Sequence, residues 1–385
     1  MRRQFFSLSH LSAGFVAVVV GFTSSVAIIF QAARAAGANE GQISSWILAL
    51  GLGMALTSAG FSLRYKVPVL TAWSTPGAAL LVTALSGHSL AEAYGAFVVS
   101  ALLILASGLT GWFEKVMDRI PMPLANAMLA GILVQFGTGI FTELAASPWL
   151  VGGMLLVYLP AKRWLPRYAM LLVLLVGVGL ALLLGLFHGP ALSLTLATPQ
   201  WVTPQFTFSG ILGVALPLFL VTMASQNLPG VAVLRSHRFE VPISKVLTGT
   251  GLVNLLLAPF GGFAFNLAAI TAAICMGEEA GQEPRQRYKA AVAAGVFYLL
   301  AGLFGASIVA LFAAMPKALV MALAGLALLG TIAGSLKGAL ADSASTEPAL
   351  ITFLVTASGM SLWGIGSAFW GLVIGGLSLV FFSRR

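Results

Sequence analysis

Long apolar runs alternate with short polar joints along nearly the whole chain. At roughly 20 residues per bilayer crossing, these runs fall near 11–34, 42–62, 67–86, 90–112, 122–141, 147–160, 168–187, 211–235, 243–258, 260–277, 288–313, 316–335, 347–361 and 364–382. The pattern predicts an all-α polytopic membrane protein of about fourteen transmembrane segments. Two segments break it. In VPVLTAWSTPGAAL (67–80), Pro68 and Pro76 lack amide hydrogens, and a proline inside a helix costs about 3 kcal/mol. The second break is APFGGFAFNLAAITAAI, at 258–274. Backbone that leaves the helix at membrane depth survives only where protein buries it or where it lines a water-filled cavity.

The breaks fall in the third and the tenth segments, which predicts two repeats of seven. An odd repeat length makes the second copy enter from the opposite side, so the repeats are inverted. Interrupted segments at corresponding positions of two halves point to a transporter's binding site.

Composition supports the membrane reading. Hydrophobic residues make up 59% of the 385 and charged residues 8%, against about 25% charged in a soluble domain. The excess apolar surface must face the lipid bilayer. The N-terminal MRRQFFSLSH leads into the first apolar run without a small-residue cleavage site, and is read as a retained first span. The net charge of +9 is not a nucleic-acid signature, because the basic residues sit in short joints between spans. With the N-terminus inside, every basic residue except Arg34 and Lys317 falls on the inner side, as the positive-inside rule requires. Both termini are then cytoplasmic. The longest outer segment, about 188–210, carries no Asp, Glu, Lys or Arg and is expected at the interface.

Chemistry at depth rests on uncharged groups. Inverted half-helices bring two helix N-termini towards one point, each exposing unpaired amide hydrogens and about half a positive charge. In the third segment Thr75 is a candidate cap with Pro76 at the first helical position. In the tenth, Asn266 is a candidate cap for a helix beginning at Leu267. No Lys, Arg or His lies at mid-membrane in this assignment, so the dipoles supply the positive potential, and a small anion is the favoured ligand. The eighth segment adds Ser225, Gln226 and Asn227 before Pro229-Gly230, and the first adds Ser24 and Ser25; these serve either a ligand or helix–helix hydrogen bonding. Trp73 and Phe265 beside the breaks suit an aromatic carboxylate, ring against rings and charge on amides, though most membrane aromatics face lipid or pack. The candidate substrate-binding set is Thr71, Trp73, Ser74, Thr75, Pro76, Gly77, Ser24, Ser25, Ser225, Gln226, Asn227, Gly262, Phe265, Asn266 and Leu267.

Ionisable residues within spans would mark a proton relay, and the acidic residues lie instead near segment ends. No nucleotide loop, metal-ligand pair or nucleophile–base arrangement is visible, so neither an enzyme, a cofactor nor a bound metal is expected. The lone cysteine, Cys275, excludes an intramolecular disulfide and a cysteine metal cage.

TAWSTPGAALL (71–81), ASQNLPGVAVLR (224–235) and FGGFAFNLAAITAAICMG (260–277) closely resemble the benzoate/proton symporter family, the BenE family, over essentially the whole chain. The resemblance implies the fold of uracil permeases and sulfate-type anion transporters, in a bacterial inner membrane. It implies a core domain, 1–114 and 206–314, and a gate domain, 115–205 and 315–385. The site would lie between segments 1, 3, 8 and 10, with short strands at about 67–71 and 261–265. Nucleobase members of that fold carry an acid in the eighth segment and another in the tenth, where this chain has Gln226-Asn227 and Asn266. Losing both fits an anionic substrate and removes the usual proton carriers, so the proton as coupling ion is implied by family alone.

The expected function is secondary active transport of a small aromatic carboxylate such as benzoate, as a proton symport in which core slides against gate. A nucleobase-like or other organic anion as cargo, a passive anion channel, and a scaffold with a vestigial site are the alternatives. A homodimer through the gate domain is compatible with this organisation.

Overall fold

The structure, a computed structural model, describes residues 6–113, 121–165, 168–187, 194–362 and 365–382. It is mostly helical. In chain order the elements are α1 (Leu8–Ala35), α2 (Glu40–Tyr65), β1 (Thr71–Trp73), α3 (Thr75–Ala84), α4 (Leu90–Thr110), α5 (Met122–Ala146), α6 (Pro148–Trp164) and α7 (Ala169–Leu183). There follow α8 (Phe208–Arg235), α9 (Ile243–Leu257), β2 (Phe265–Leu267), α10 (Ile270–Met276), α11 (Tyr288–Leu303), α12 (Gly305–Ala314), α13 (Lys317–Ala339), α14 (Thr346–Ala357), β3 (Ser361–Leu362), β4 (Ile365–Gly366) and α15 (Ser367–Phe382).

Every apolar run has a helical counterpart, but by length and apolarity six helices qualify as spans, or eight if two bent pairs count. The pairs are Leu8–Phe22 with Ser25–Ala35, bent by 44°, and Pro284–Leu303 with Gly305–Ala314, bent by 64°. The eleventh apolar run is therefore two helices. In α8, wide π turns at Ile211–Ala215 and Met223–Asn227 precede Pro217 and Pro229. Each proline cannot donate to the preceding turn and its ring crowds a carbonyl there, and the extra residue of a π turn makes room.

Two sets of helices pack internally. In one, α2 lies along α11, α4 along α9, and α1 against α3, α10 and α11. In the other, α5 packs on α13 and α14, α14 on α15, and α6 on α7. Small residues allow the close approach: a Cβ on Gly51 of α2 would fall 2.7 Å from the Gly302 Cα of α11. Residues 194–207 run extended across the first set, where the amides of Ala197, Val202 and Gln205 donate to the carbonyls of Leu303, Pro259 and Ala91. Leu194, Leu196, Trp201 and Phe206 are exposed along this strip.

The short strands begin four residues later, and end two later, than the 67–71 and 261–265 implied by family resemblance. Val69, placed in the earlier strand, is instead gripped by a serine of α2, and pairing starts at Thr71.

Candidate functional site

The two breaks meet. β1 and β2 pair antiparallel, with Thr71 opposite Leu267, Ala72 opposite Asn266 and Trp73 opposite Phe265. The ladder extends at both ends, from the Ala268 amide to the Leu70 carbonyl (2.9 Å) and from the Ser74 amide to the Ala264 carbonyl (2.8 Å). Both strands are buried, so every backbone group off this narrow ladder needs another partner.

Side chains of the neighbouring long helices provide them. On α2, Met54, Ser58 and Ser62 recur every four residues and share one helical face. The Ser62 hydroxyl accepts from the Val69 amide (3.1 Å) and donates to its carbonyl (3.0 Å). The Ser58 hydroxyl accepts from the Thr71 amide at 3.0 Å, and the Trp73 amide points at the Met54 sulfur at 3.2 Å. For β2 a single residue of α9 suffices. Asn254 donates to the Phe265 carbonyl (2.9 Å) and accepts from its amide (3.2 Å).

Past β1 the chain turns directly into α3. Ser74 is the cap, its hydroxyl accepting from the Gly77 amide at 3.0 Å. Thr75 is the first helical residue and Pro76 the second, so cap and helix both start one residue earlier than the sequence reading that made Thr75 the cap. Ser74 already has the extended backbone a cap requires. The second break differs more. Asn266 caps nothing, because it lies inside β2, and α10 starts only at Ile270, after Ala269, with no side-chain cap.

Asn266 instead faces α8. Its Oδ1 accepts from the Asn227 Nδ2 at 3.1 Å, and the Asn227 Oδ1 accepts from the Leu267 amide at 3.2 Å. Both asparagines are fully buried. The Asn266 Nδ2 has no partner. An unpaired buried donor costs about 1–3 kcal/mol, so this amide is a primed contact for an acceptor.

The first segment joins through Trp73. Its indole donates to the Ser25 hydroxyl at 2.6 Å, and Ser25 donates to the Gly21 carbonyl one turn back. The Trp73 ring sits 4.6 Å from that of Phe22, at the bend of α1.

The predicted residues thus separate. Trp73, Ser74, Pro76, Gly77, Ser25, Asn227 and Asn266 lie buried around the junction of segments 1, 3, 8 and 10; Thr75, Ser225 and Gln226 are part-exposed there. Thr71 turns its hydroxyl to Thr57 and Ser58 of α2 (2.6 and 2.9 Å). Phe265 packs on α2, where a Cβ on Gly53 would come within 2.5 Å of its ring, and Leu267 lies against Gly230 of α8. Gly262 serves the turn after α9, its amide bonded to the Leu257 carbonyl. The Ser24 side chain lies outside the described residues. Met54, Ser58, Ser62 and Asn254 escaped the sequence reading; the four-residue spacing on α2 was the available signal. Among the described residues no group of three or more His, Cys, Asp or Glu could hold a metal ion.

A helical membrane protein whose two interrupted segments pair at its centre has the fold of known anion transporters. It superposes on the transmembrane domain of the cyanobacterial bicarbonate transporter BicA with a TM-score of 0.60 at 17% identity, covering 98% of this chain and 97% of that one. Against the murine anion transporter Slc26a9 in its inward-facing state the TM-score is 0.63 at 13% identity, over 100% and 70% of the two chains. Sequence narrows the class further. The chain matches the BenE family, described as benzoate membrane transport protein, over residues 4–381. It is 50% identical to the inner membrane protein YdcO of Escherichia coli (strain K12), over 96% of this chain and 95% of that one. It is 44% identical to a benzoate membrane transport protein of Acinetobacter baylyi (strain ATCC 33305 / BD413 / ADP1), over 98% and 95%. The chain belongs to the BenE family. It is a multi-pass bacterial inner-membrane protein that works as a transporter and not as an enzyme.

Proposed function

We propose that the protein carries a small aromatic carboxylate, benzoate or a near relative, across the membrane together with a proton. The observation that carries this reading is the unpartnered Asn266 amide, buried where the two breaks meet. It lies near the N-terminus of α3, whose dipole favours an anion. Trp73, one residue before the Ser74 cap of α3, and Phe22 supply apolar ring surface at the same junction. The absence of any acid from β1, α3, β2 and the Met223–Asn227 turn suits a negatively charged cargo, which a buried carboxylate would repel.

On this reading the chain crosses the membrane fourteen times, as two inverted repeats of seven, with both termini in the cytoplasm. Supporting the repeat is the way each strand is held by the helix preceding it, β1 by α2 and β2 by α9. The packing supports a core of 1–114 with 206–314, moving against a gate of 115–205 with 315–385. Ser74, Asn227 and Asn266 have no exposed surface, so a ligand reaches them only if packed elements separate, as alternating access requires.

Uptake of labelled benzoate into proteoliposomes, with and without an inward proton gradient, tests the proposal. Accumulation that needs the gradient is expected. Equilibration without accumulation, with unitary currents, would mean a passive channel, and no benzoate uptake under any gradient would refute the substrate. A nucleobase competing better than benzoate would reassign the cargo.

A further inference from the structure

Tyr298 lies in α11, outside the segments that supply the site above. It is 1% exposed, and its hydroxyl has no hydrogen-bond partner. The Thr271 side chain is near enough to interact with it, but no hydrogen bond of good distance and angle forms between them. Its ring centroid is 6.3 Å from that of Phe22, and Phe22 is 4.6 Å from Trp73. The three rings form a row leading from α11 to the residue before Ser74.

The surroundings of the hydroxyl are spare. A Cβ built on Gly21 of α1 would lie 3.6 Å from it and 3.5 Å from the Thr271 methyl, both ordinary contact distances. A methyl on Gly21 would therefore be tolerated beside the hydroxyl, just before the bend of α1. An orphan buried hydroxyl is costly in a packed protein. Packing alone would be served equally well by phenylalanine, which fills nearly the same volume. Tyr298 and Asn266 are thus two buried donors without acceptors, on α11 and β2.

We propose that the Tyr298 hydroxyl is a substrate contact, donating a hydrogen bond to a carboxylate oxygen of the bound anion. The inference rests on the carboxylate reading above. It moves one wall of the site to α11 and makes α1, through Gly21, the element that must keep clear of the ligand. Tyr298 then selects for the carboxylate, while Trp73 and Phe22 hold the ring.

Benzoate binding to purified protein, measured by calorimetry for wild type, Tyr298→Phe and Gly21→Ala, decides the matter. A hydrogen bond to a charged group is worth enough to weaken binding about tenfold or more on loss of its donor. Y298F is expected to lose that factor for benzoate, while its affinity for benzamide, whose oxygen is uncharged, drops much less. G21A is expected to fold normally and also lose affinity, because its methyl occupies the space beside the hydroxyl. A wild-type protein silent to benzoate would remove the substrate reading and this inference with it. Wild-type binding with unchanged Y298F would overturn this inference alone. So would a Y298F protein that fails to fold, since the hydroxyl would then be structural.

Discussion

The two broken segments solve the same problem with different completeness. At the first, side chains pair the backbone amides that the break frees: Ser62 with Val69, Ser58 with Thr71, Ser74 with Gly77. At the second, Asn254 serves both backbone groups of Phe265, yet Asn266 keeps a free amide and α10 begins uncapped. The first break is a finished support. The second holds the unfinished valence, and unfinished valences at buried positions are where ligands are expected. The paired strands let the support position the open amide.

Substitutions should separate the two roles. The largest stability loss is expected for Asn254→Ala, which leaves the buried Phe265 amide and carbonyl both unpaired, at about 3 kcal/mol. The thermal unfolding midpoint in detergent would show it. Ser58→Ala orphans one amide, that of Thr71, and is expected to cost about half as much, about 1.5 kcal/mol. Ser74→Ala removes a helix cap, worth about 1 kcal/mol. Asn266→Leu is nearly isosteric; it deletes a donor that had no partner and the acceptor of the Asn227 amide, which keeps its contact with the Met223 sulfur. It should cost about 1 kcal/mol, well below N254A, and still abolish benzoate uptake. A stability loss for N266L as large as that for N254A would make Asn266 another support and erase the contrast between the breaks.

The smallest effect sharpens the role of the first segment. Trp73→Phe keeps a ring against Phe22 but loses the bond to Ser25. Its expected stability change is about 1 kcal/mol or below, with benzoate affinity reduced only modestly. A collapse of transport in W73F at unchanged stability would promote the indole N–H from a strut on Ser25 to a ligand donor.

How much of this was legible in the chain follows from which contacts are local. Pro68, Pro76 and Gly77 announce a break because each acts on its own backbone. The cap falls one residue before Thr75, since Ser74 and Thr75 are both capping residues by type and the extended backbone at Ser74 decides between them. The strands begin four residues later than the resemblance implies, because their position is set by pairing across nearly two hundred positions. Asn266 read as a cap from its neighbours and became a strand residue through β1 and Asn227. Ser58, Ser62 and Asn254 sit in apolar helices, where a polar residue reads as helix–helix glue. Tyr298 carries no local signal at all, its interest arising only from the contacts that α1 and α10 fail to provide.

The most direct measurement of whether the paired breaks form the substrate site is benzoate protection of a cysteine at position 74, in protein whose buried Cys275 is replaced by alanine. Slow labelling of S74C by a thiol reagent, halted by benzoate in membranes that still transport it, is the expected result. Labelling that proceeds at the same rate with saturating benzoate, in protein that transports it, would place the substrate elsewhere.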